Sequence, residues 1–95
     1  MSMNLAHGAA ASRLALSLAT TPQAERSNAA ASLTPRERQC VILLAHGATD
    51  EEIASALSIS HATVRFHLDG ARRKFAARSR AHLAALSVAA EVVRL

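Results

Sequence analysis

The sequence predicts an all-α protein, namely a four-helix domain with a helix–turn–helix, preceded by a mostly disordered N-terminal tail. Three observations support this fold class. Ala accounts for 23 of the 48 apolar residues, and Ala has the highest intrinsic helix propensity. From Leu33 onward, the chain carries paired signals for the start and the end of helices. The larger apolar residues recur every three or four positions, as they do on the buried face of a helix.

Length and composition exclude several classes of protein. A chain of 95 residues allows one small domain. Its single Cys excludes an intramolecular disulfide framework and a cysteine-rich zinc site. Two Phe without Trp or Tyr leave few rings on which single-stranded bases would stack. Since we find no phosphate-binding glycine loop or catalytic pattern, we expect no catalytic residue, metal, cofactor or small-molecule site.

No segment has the length of a membrane span. The longest N-terminal apolar run, residues 14–19, is far shorter than the ~20 residues that a transmembrane helix needs. Arg13 interrupts the region that a signal peptide would keep apolar. We therefore expect a cytoplasmic protein without membrane contact.

Residues 1–32 are rich in Ala and Ser, and a Thr-Thr-Pro sequence at 20–22 divides them. Residues 12–19 have the spacing of a short helix, but a helix of that length is marginal in water without a partner. We interpret residues 1–32 as a tail or linker and place the folded domain at residues 33–95.

The first two predicted helices each begin with a capping box, in which a Thr is followed three residues later by a Glu. In the first helix these residues are Thr34 and Glu37, and Gly47 is its natural C-terminal glycine. Cys40 lies on the apolar face, which indicates a buried core residue rather than a nucleophile. In the second, short helix the capping Thr is Thr49.

The third predicted helix runs from about His61 to Phe75, after a tight turn in which Ile59 points inward. Its inner stripe has spacings of four, three and four residues and consists of Val64, Leu68, Ala71 and Phe75. Ser79 is placed to cap a fourth helix that reaches toward Val93.

Charge is concentrated in the third helix and just beyond it. Residues 61–80 hold six Arg and Lys against one Asp, a balance of +5, whereas residues 33–60 hold two Arg against four acids, a balance of −2. A basic helix beside an acidic one is a candidate surface for a polyanion, although a solvated basic face would look the same.

The second and third helices fit a helix–turn–helix, in which the second helix of the pair lies in the major groove of double-stranded DNA. Arg65 has the donors to contact guanine O6 and N7, and Phe66 is apolar enough for a thymine methyl group. Phosphates would be contacted by hydroxyl and guanidinium donors, for which the sequence offers Thr49, Ser60, Thr63, Arg72 and Arg73.

Five segments together resemble a LuxR-type (LuxR/FixJ) DNA-binding domain. They read LTPRER at 33–38, AHGATDEEIA at 45–54, LSISHATVRFHL at 57–68, RRKF at 72–75 and RSRAHL at 78–83. The ending is most similar to that of acyl-homoserine-lactone quorum-sensing regulators. The resemblance covers about two thirds of the chain, residues 33–95.

The resemblance implies a transcription regulator that binds a two-fold-symmetric DNA site as a dimer. The third helix would read the major groove, and the fourth would form the dimer contact through Leu83, Ala84 and Val88. A homodimer is the expected assembly, with a heterodimer with another LuxR-type regulator as a further possibility. The residues expected at the DNA are Thr49, Ser60, His61, Thr63, Arg65, Phe66, Asp69, Arg72 and Arg73.

The chain departs from the family pattern at several positions. Asp69 stands where relatives often have a basic or polar residue; it would either accept from cytosine N4 or pair with Arg65 or Arg73, each four residues away. Gly70 inside the third helix should cost roughly 0.8–1 kcal/mol relative to Ala. Ala76 replaces the usual helix-ending Gly.

A further departure is expected at the N-terminus, where relatives normally carry a sensor domain and this sequence has 32 linker-like residues. Together with Asp69, it motivates a competing hypothesis. In that hypothesis the chain is a sensorless antagonist that pairs with full-length LuxR-type regulators through the fourth helix.

Overall fold

Four of the helices begin directly after a Ser or Thr whose hydroxyl caps the helix. The computed structural model describes residues 23–94, and within them it contains five α-helices and no strand. They are α1 (Gln23–Ser32), α2 (Pro35–Ala45), α3 (Asp50–Leu57), α4 (His61–Phe75) and α5 (Arg80–Ala89). The four predicted helices correspond to α2–α5, so the all-α prediction is confirmed.

Each of α2–α5 starts with a side-chain oxygen that accepts from the backbone N–H three residues later. The capping residues are Thr34, Thr49, Ser60 and Ser79, with N···O distances of 3.0–3.2 Å. The caps on α2 and α3 are complete capping boxes. A cap of this kind typically stabilises a helix by about 1 kcal/mol. The predicted starts of all four helices are therefore confirmed.

Left-handed residues end α3 and α4 and follow the end of α2. Gly47 has φ 92°, a conformation that its missing Cβ makes inexpensive. Ser58 (φ 56°) and Ala76 (φ 52°) adopt the same region with a Cβ. A left-handed residue with a side chain costs about 1–2 kcal/mol. Ala76 therefore fixes the bend before α5 as the usual Gly would, but with strain.

Helix α4 is the centre of the domain and packs against each of the other four helices. Its predicted stripe is buried as expected, with Val64 and Ala71 fully inaccessible to solvent. Cys40 and Val41 of α2 and Ile53 of α3 belong to the same core. Full burial of a Val, Leu or Ile side chain contributes about 1.5–3 kcal/mol. The opposite face of α4 is thereby left to the solvent.

Helix α1 corrects part of the prediction for the N-terminal segment. Residues 23–32, expected to belong to a disordered tail, form a helix that docks on the domain with Ala29 buried. Arg38 Nη2 donates to the Ala30 carbonyl (2.8 Å), and Lys74 Nζ donates to the Ser32 carbonyl (2.8 Å). These bonds satisfy carbonyls that a helix end leaves without an intrahelical partner. Residues 1–22, with the candidate helix at 12–19, lie outside the described residues.

The end of α5 also differs from the prediction. The helix was expected to reach toward Val93, but it ends at Ala89, and Glu91 takes a left-handed conformation with φ 60°. This turn brings Val93 back onto the core, where it is 3% exposed. An apolar residue beyond the end of the helix is thus part of the core. Among the described residues, no helix is long and apolar enough to cross a bilayer.

Candidate nucleic-acid interface

A three-residue turn joins α3 to α4. The Ile59 N–H donates to the Ala54 carbonyl (3.0 Å), and the left-handed Ser58 reverses the chain. Ile59 is half-buried and packs against the core, as predicted for the residue that fills the turn. Ala54 is 6% exposed, so a small side chain lies at the close contact between the helices. The turn therefore holds α4 across α3 and leaves the outer face of the N-terminal half of α4 open to solvent.

The outer face of α4 presents most of the predicted DNA-contacting residues to solvent. Among the described residues, Phe66 is the large apolar side chain that stands exposed, with 67% of its surface accessible to solvent. His61, Arg65, Asp69 and Arg73 are exposed on the same helix. Within residues 23–94, the Arg65 guanidinium forms no hydrogen bond or ion pair. A cation without a partner beside an exposed ring can contact an external base edge without breaking an internal bond.

Three of the predicted phosphate contacts already have structural roles. Thr49 closes the α3 capping box, since its N–H donates to Glu52 Oε1 (2.8 Å) and its hydroxyl accepts from the Glu52 N–H. The Ser60 hydroxyl caps α4 and lies 2.8 Å from the Thr63 hydroxyl. Each hydroxyl thus has its orientation fixed before any DNA arrives.

The two arginines near the end of α4 differ. Arg72 is half-buried, and its Nη1 lies 3.5 Å from the Ala77 carbonyl at the helix end. Arg73 is exposed, and its guanidinium has no hydrogen-bond partner within residues 23–94. Arg73 is consequently the better placed of the two for a phosphate.

The structure does not contain one of the two contacts predicted for Asp69. In the described part of the chain Asp69 forms no ion pair with Arg65 or Arg73. Its carboxylate is exposed, and its charge contributes to raising the pKa of Arg80 on α5. Asp69 therefore faces outward beside α5.

An ion pair between α3 and α5 lies next to this face. Arg80 and Asp50 form a bidentate pair, through Nη1 to Oδ1 and through Nη2 to Oδ2 at 2.9 Å. The hydrogen bond from Arg80 holds the pKa of the Asp50 carboxyl below its usual range, and the charges of Arg65 and His61 act in the same direction. The pair joins residues 30 positions apart, and no local sequence pattern announces it.

A second ion pair joins α2 to α4. Lys74 Nζ lies 2.6 Å from Glu37 Oε1, and Glu37 is 7% exposed. Burial acts to raise the pKa of the Glu37 carboxyl, but the bonds from Lys74 and from the Thr34 N–H outweigh it, so the pKa lies below its usual value. Of the six cations at residues 61–80, Lys74 and Arg80 are therefore compensated by acids from residues 33–60. The charge available to a polyanion is smaller than the sequence balance indicates.

The cysteine and one of the histidines occupy structural positions. Cys40 is fully buried, and burial raises the pKa of its thiol, so the prediction of a core cysteine is confirmed. His82 is half-buried, and its Nδ1 accepts from the Arg78 N–H (2.9 Å). No group of three or more His, Cys, Asp and Glu within residues 23–94 has the arrangement to hold a metal ion.

A groove of about 690 Å³ lies away from the predicted DNA-contacting face. It separates α1 from the end of α4, and Arg26, Phe75, Ala76 and His82 are among its lining residues. None of the nine residues expected at the DNA lines it. The expectation of no small-molecule site stays a prediction.

Helix α5 changes the prediction for the dimer contact. Leu83 is fully buried in the core of the domain itself, so its side chain is not available to a partner subunit. Ala84 and Val88 are half-buried and leave part of their surface accessible. The physical reason is that the same face of this short helix has to cover α2 and α4. Of the three predicted residues, Ala84 and Val88 remain candidates for a dimer contact.

The family model for bacterial regulatory proteins of the luxR family matches residues 31–87. The chain belongs to the LuxR family. This confirms the resemblance read from the sequence, and the helix–turn–helix of the LuxR-family domain is α3 with α4. No solved structure gives a significant match.

Two kinds of curated relative resemble this LuxR-family chain. It is 40% identical over 76 residues to Transcriptional activator protein TraR of Rhizobium radiobacter, which covers 80% of the chain and 31% of TraR. It is 37% identical over 87 residues to Nitrate/nitrite response regulator protein NarL of Escherichia coli K12, covering 82% of the chain and 40% of NarL. The chain thus spans about a third to two fifths of the length of these relatives.

Proposed function

We propose that the chain is a sequence-specific regulator of transcription that binds a two-fold-symmetric DNA site as a dimer, with α4 in the major groove. One observation carries the proposal. Arg65 and Phe66 stand exposed on α4 while the opposite face of the same helix is buried, and Arg65 has no side-chain partner within residues 23–94. The Phe66 ring makes an edge contact with the ring of His67, with centroids 5.5 Å apart. An exposed apolar ring beside a free guanidinium has the chemistry of a major-groove base contact.

Phosphate and base contacts have separate roles in this function. Arg73, His61 and the hydroxyls that cap α3 and α4 contact the backbone and set the register of the protein on the duplex. Arg65 discriminates guanine through O6 and N7, and Phe66 contacts a thymine methyl group. Asp69 accepts from cytosine N4, since the carboxylate is exposed and has no intrahelical partner.

The dimer contact involves α5, through the accessible parts of Ala84 and Val88. Small side chains allow two helices to approach closely, and Leu83 supports this surface from inside the domain. A two-fold-symmetric dimer presents two copies of α4 to half-sites one helical turn apart or a multiple of it.

Selection from a pool of random duplexes tests the proposal. The expected result is an inverted repeat whose half-site spacing fits one turn of DNA or a multiple of it. For any variant that removes a positive charge from the helix–turn–helix, Arg94→Ala is the matched control, because Arg94 is exposed and lies outside that motif. Failure to enrich any sequence would contradict sequence-specific binding, and enrichment of a single half-site would contradict the dimer.

The competing hypothesis is an antagonist that forms a heterodimer with a full-length LuxR-type regulator. Asp69 favours it, because an exposed carboxylate on the outer face of α4 repels phosphates. A gel-shift titration with and without a full-length relative separates the two functions. Tight, specific binding by the chain alone supports the regulator, whereas loss of the relative's complex without binding by the chain alone supports the antagonist.

A further inference from the structure

The Asp50–Arg80 pair joins the first residues of two helices beside the outer face of α4. Asp50 follows the cap of α3, and Arg80 follows the cap of α5. Both carboxylate oxygens of Asp50 accept from the guanidinium. The Arg80 side chain keeps 45% of its surface exposed and that of Asp50 keeps 24%. The pair is thus a surface feature that an approaching duplex would meet.

Asp50 belongs to an acidic turn whose charges repel the phosphates of DNA. The first turn of α3 contains Asp50, Glu51 and Glu52, which suit the positive end of the helix dipole but repel phosphates. Glu52 is engaged in the capping box with Thr49. Arg80 compensates Asp50, which removes one carboxylate charge from this turn.

The pair also lies beside the base-reading face of α4. His61, Arg65 and Asp69 follow one another at intervals of four, so they share one face of the helix. The charges of Arg65 and His61 act on Asp50, and the charge of Asp69 acts on Arg80. Without Arg80, the cations that act on Asp50 would be those of α4, among them Arg65.

We propose that Arg80 is a positioning residue for DNA recognition, which binds Asp50 so that Asp50 neither repels the duplex nor captures Arg65. This inference rests on the proposed function, because it assigns the pair a role in the binding of α4 to DNA. Arg80 does not itself need to contact a base or a phosphate. The Asp50–Arg80 pair thus keeps Arg65 available for contact with DNA, in addition to joining α3 to α5.

The test is a double-mutant cycle at positions 50 and 80, read as dissociation constants for the selected site and for random DNA. Arg80→Gln should weaken binding to the selected site by about tenfold or more and lower the ratio of specific to random affinity. The charge-matched control Arg94→Gln should change both constants by less than about threefold. The double variant Asp50→Asn/Arg80→Gln has the net charge of the wild type. It should return to within about threefold of wild-type affinity and specificity.

Two outcomes would overturn the proposal. If the double variant binds as weakly as Arg80→Gln while its melting temperature equals that of the wild type, Arg80 acts by its own contact with DNA. If Arg80→Gln binds as tightly as the wild type, the pair has no role in recognition.

Two further observations keep the test decisive. Should Arg80→Gln unfold below the assay temperature, Arg80→Lys takes its place. This variant keeps a positive charge beside Asp50 but lacks the planar fork that binds both of its oxygens, so it should bind the selected site more than about threefold more weakly than the wild type, and wild-type affinity would contradict the proposal. A wild-type chain that binds selected and random DNA equally would instead refute the proposed function, and this result is visible before any variant is made.

Discussion

Gly70 of α4 lies directly against the carboxylate of Glu37 of α2, and a methyl group at position 70 would overlap Oε2 of that carboxylate. Glu37 cannot simply rotate away, because its Oε1 accepts from both the Thr34 N–H (2.9 Å) and Lys74 Nζ (2.6 Å). The glycine that the sequence marks as unfavourable for helix α4 therefore permits a close approach between α2 and α4.

Gly70→Ala should destabilise the domain in spite of the better helix propensity of Ala. Propensity alone favours the variant by roughly 0.8–1 kcal/mol, whereas the overlap with Glu37 should cost about 1–3 kcal/mol. Urea denaturation measures the difference. The double variant Gly70→Ala/Glu37→Ala removes the overlap and should lose less than the sum of the two single changes. A Gly70→Ala variant more stable than the wild type would contradict this account.

The stability contributed by Glu37 should depend on pH. Since the pKa of Glu37 in the folded state lies below its ordinary value of 4.5, the contribution is complete above that ordinary value. It is lost as the pH falls through the folded pKa. Glu37→Gln should be about 1–3 kcal/mol less stable than the wild type at pH 7, and the two should converge in acid, because a protonated carboxyl resembles an amide.

Urea denaturation at a series of pH values checks the Glu37 prediction. Glu51→Gln is a suitable control, because Glu51 is exposed in the first turn of α3. This control should show little loss at any pH. A constant difference between Glu37→Gln and the wild type from pH 7 to acid would show that the carboxylate charge is not what Lys74 and Thr34 stabilise.

Arg65 and Arg73 should have different effects on DNA binding. Arg65→Ala should cost about 1–3 kcal/mol on the selected site and relax selectivity at one base pair, because it removes a base contact. Arg73→Ala should weaken selected and random DNA similarly and reduce the salt dependence of binding, because it removes a phosphate contact. Fluorescence anisotropy at several salt concentrations distinguishes them. Equal losses on selected and random DNA for Arg65→Ala would assign Arg65 to the backbone instead.

Ala76→Gly should stabilise the domain. Ala76 has φ 52°, where a Cβ costs about 1–2 kcal/mol, although part of the gain is offset by the greater freedom of Gly in the unfolded chain. We expect a net gain of about 0.5–1 kcal/mol in the free energy of unfolding. Ala85→Gly, at an exposed position inside α5, should instead destabilise by about that amount. A lower melting temperature for Ala76→Gly would show that the bend before α5 is not strained.

Local signals predicted the helices well, because each depended on residues a few positions apart. The capping boxes at Thr34 and Thr49 and the stripe from Val64 to Phe75 appear in the structure as the sequence indicates. Helix α1 was missed because its own residues are mostly polar or small. What holds it are Arg38 and Lys74, which lie elsewhere in the chain.

The candidate site likewise contains features that the sequence predicted and features that depend on contacts between distant residues. Exposure of Arg65 and Phe66 followed from the helical period, since the opposite face had to be the core. The helical period also allowed Asp69 to pair with Arg65 or Arg73. It carries no information about the neighbouring helix α5, whose Arg80 is affected by the charge of Asp69. Leu83 fitted both a core and a dimer surface by spacing, and only its packing shows that it is inside the domain.

Helix α1 determines where a fragment for biophysical work has to start. A boundary at Leu33 would expose the core beneath Ala29 and leave the side chains of Arg38 and Lys74 without their carbonyl acceptors. A fragment that begins at Gln23 keeps both anchors and the contact of α1 with α4. The shortest expression product that retains these interactions is therefore ten residues longer than the capping signals alone would define.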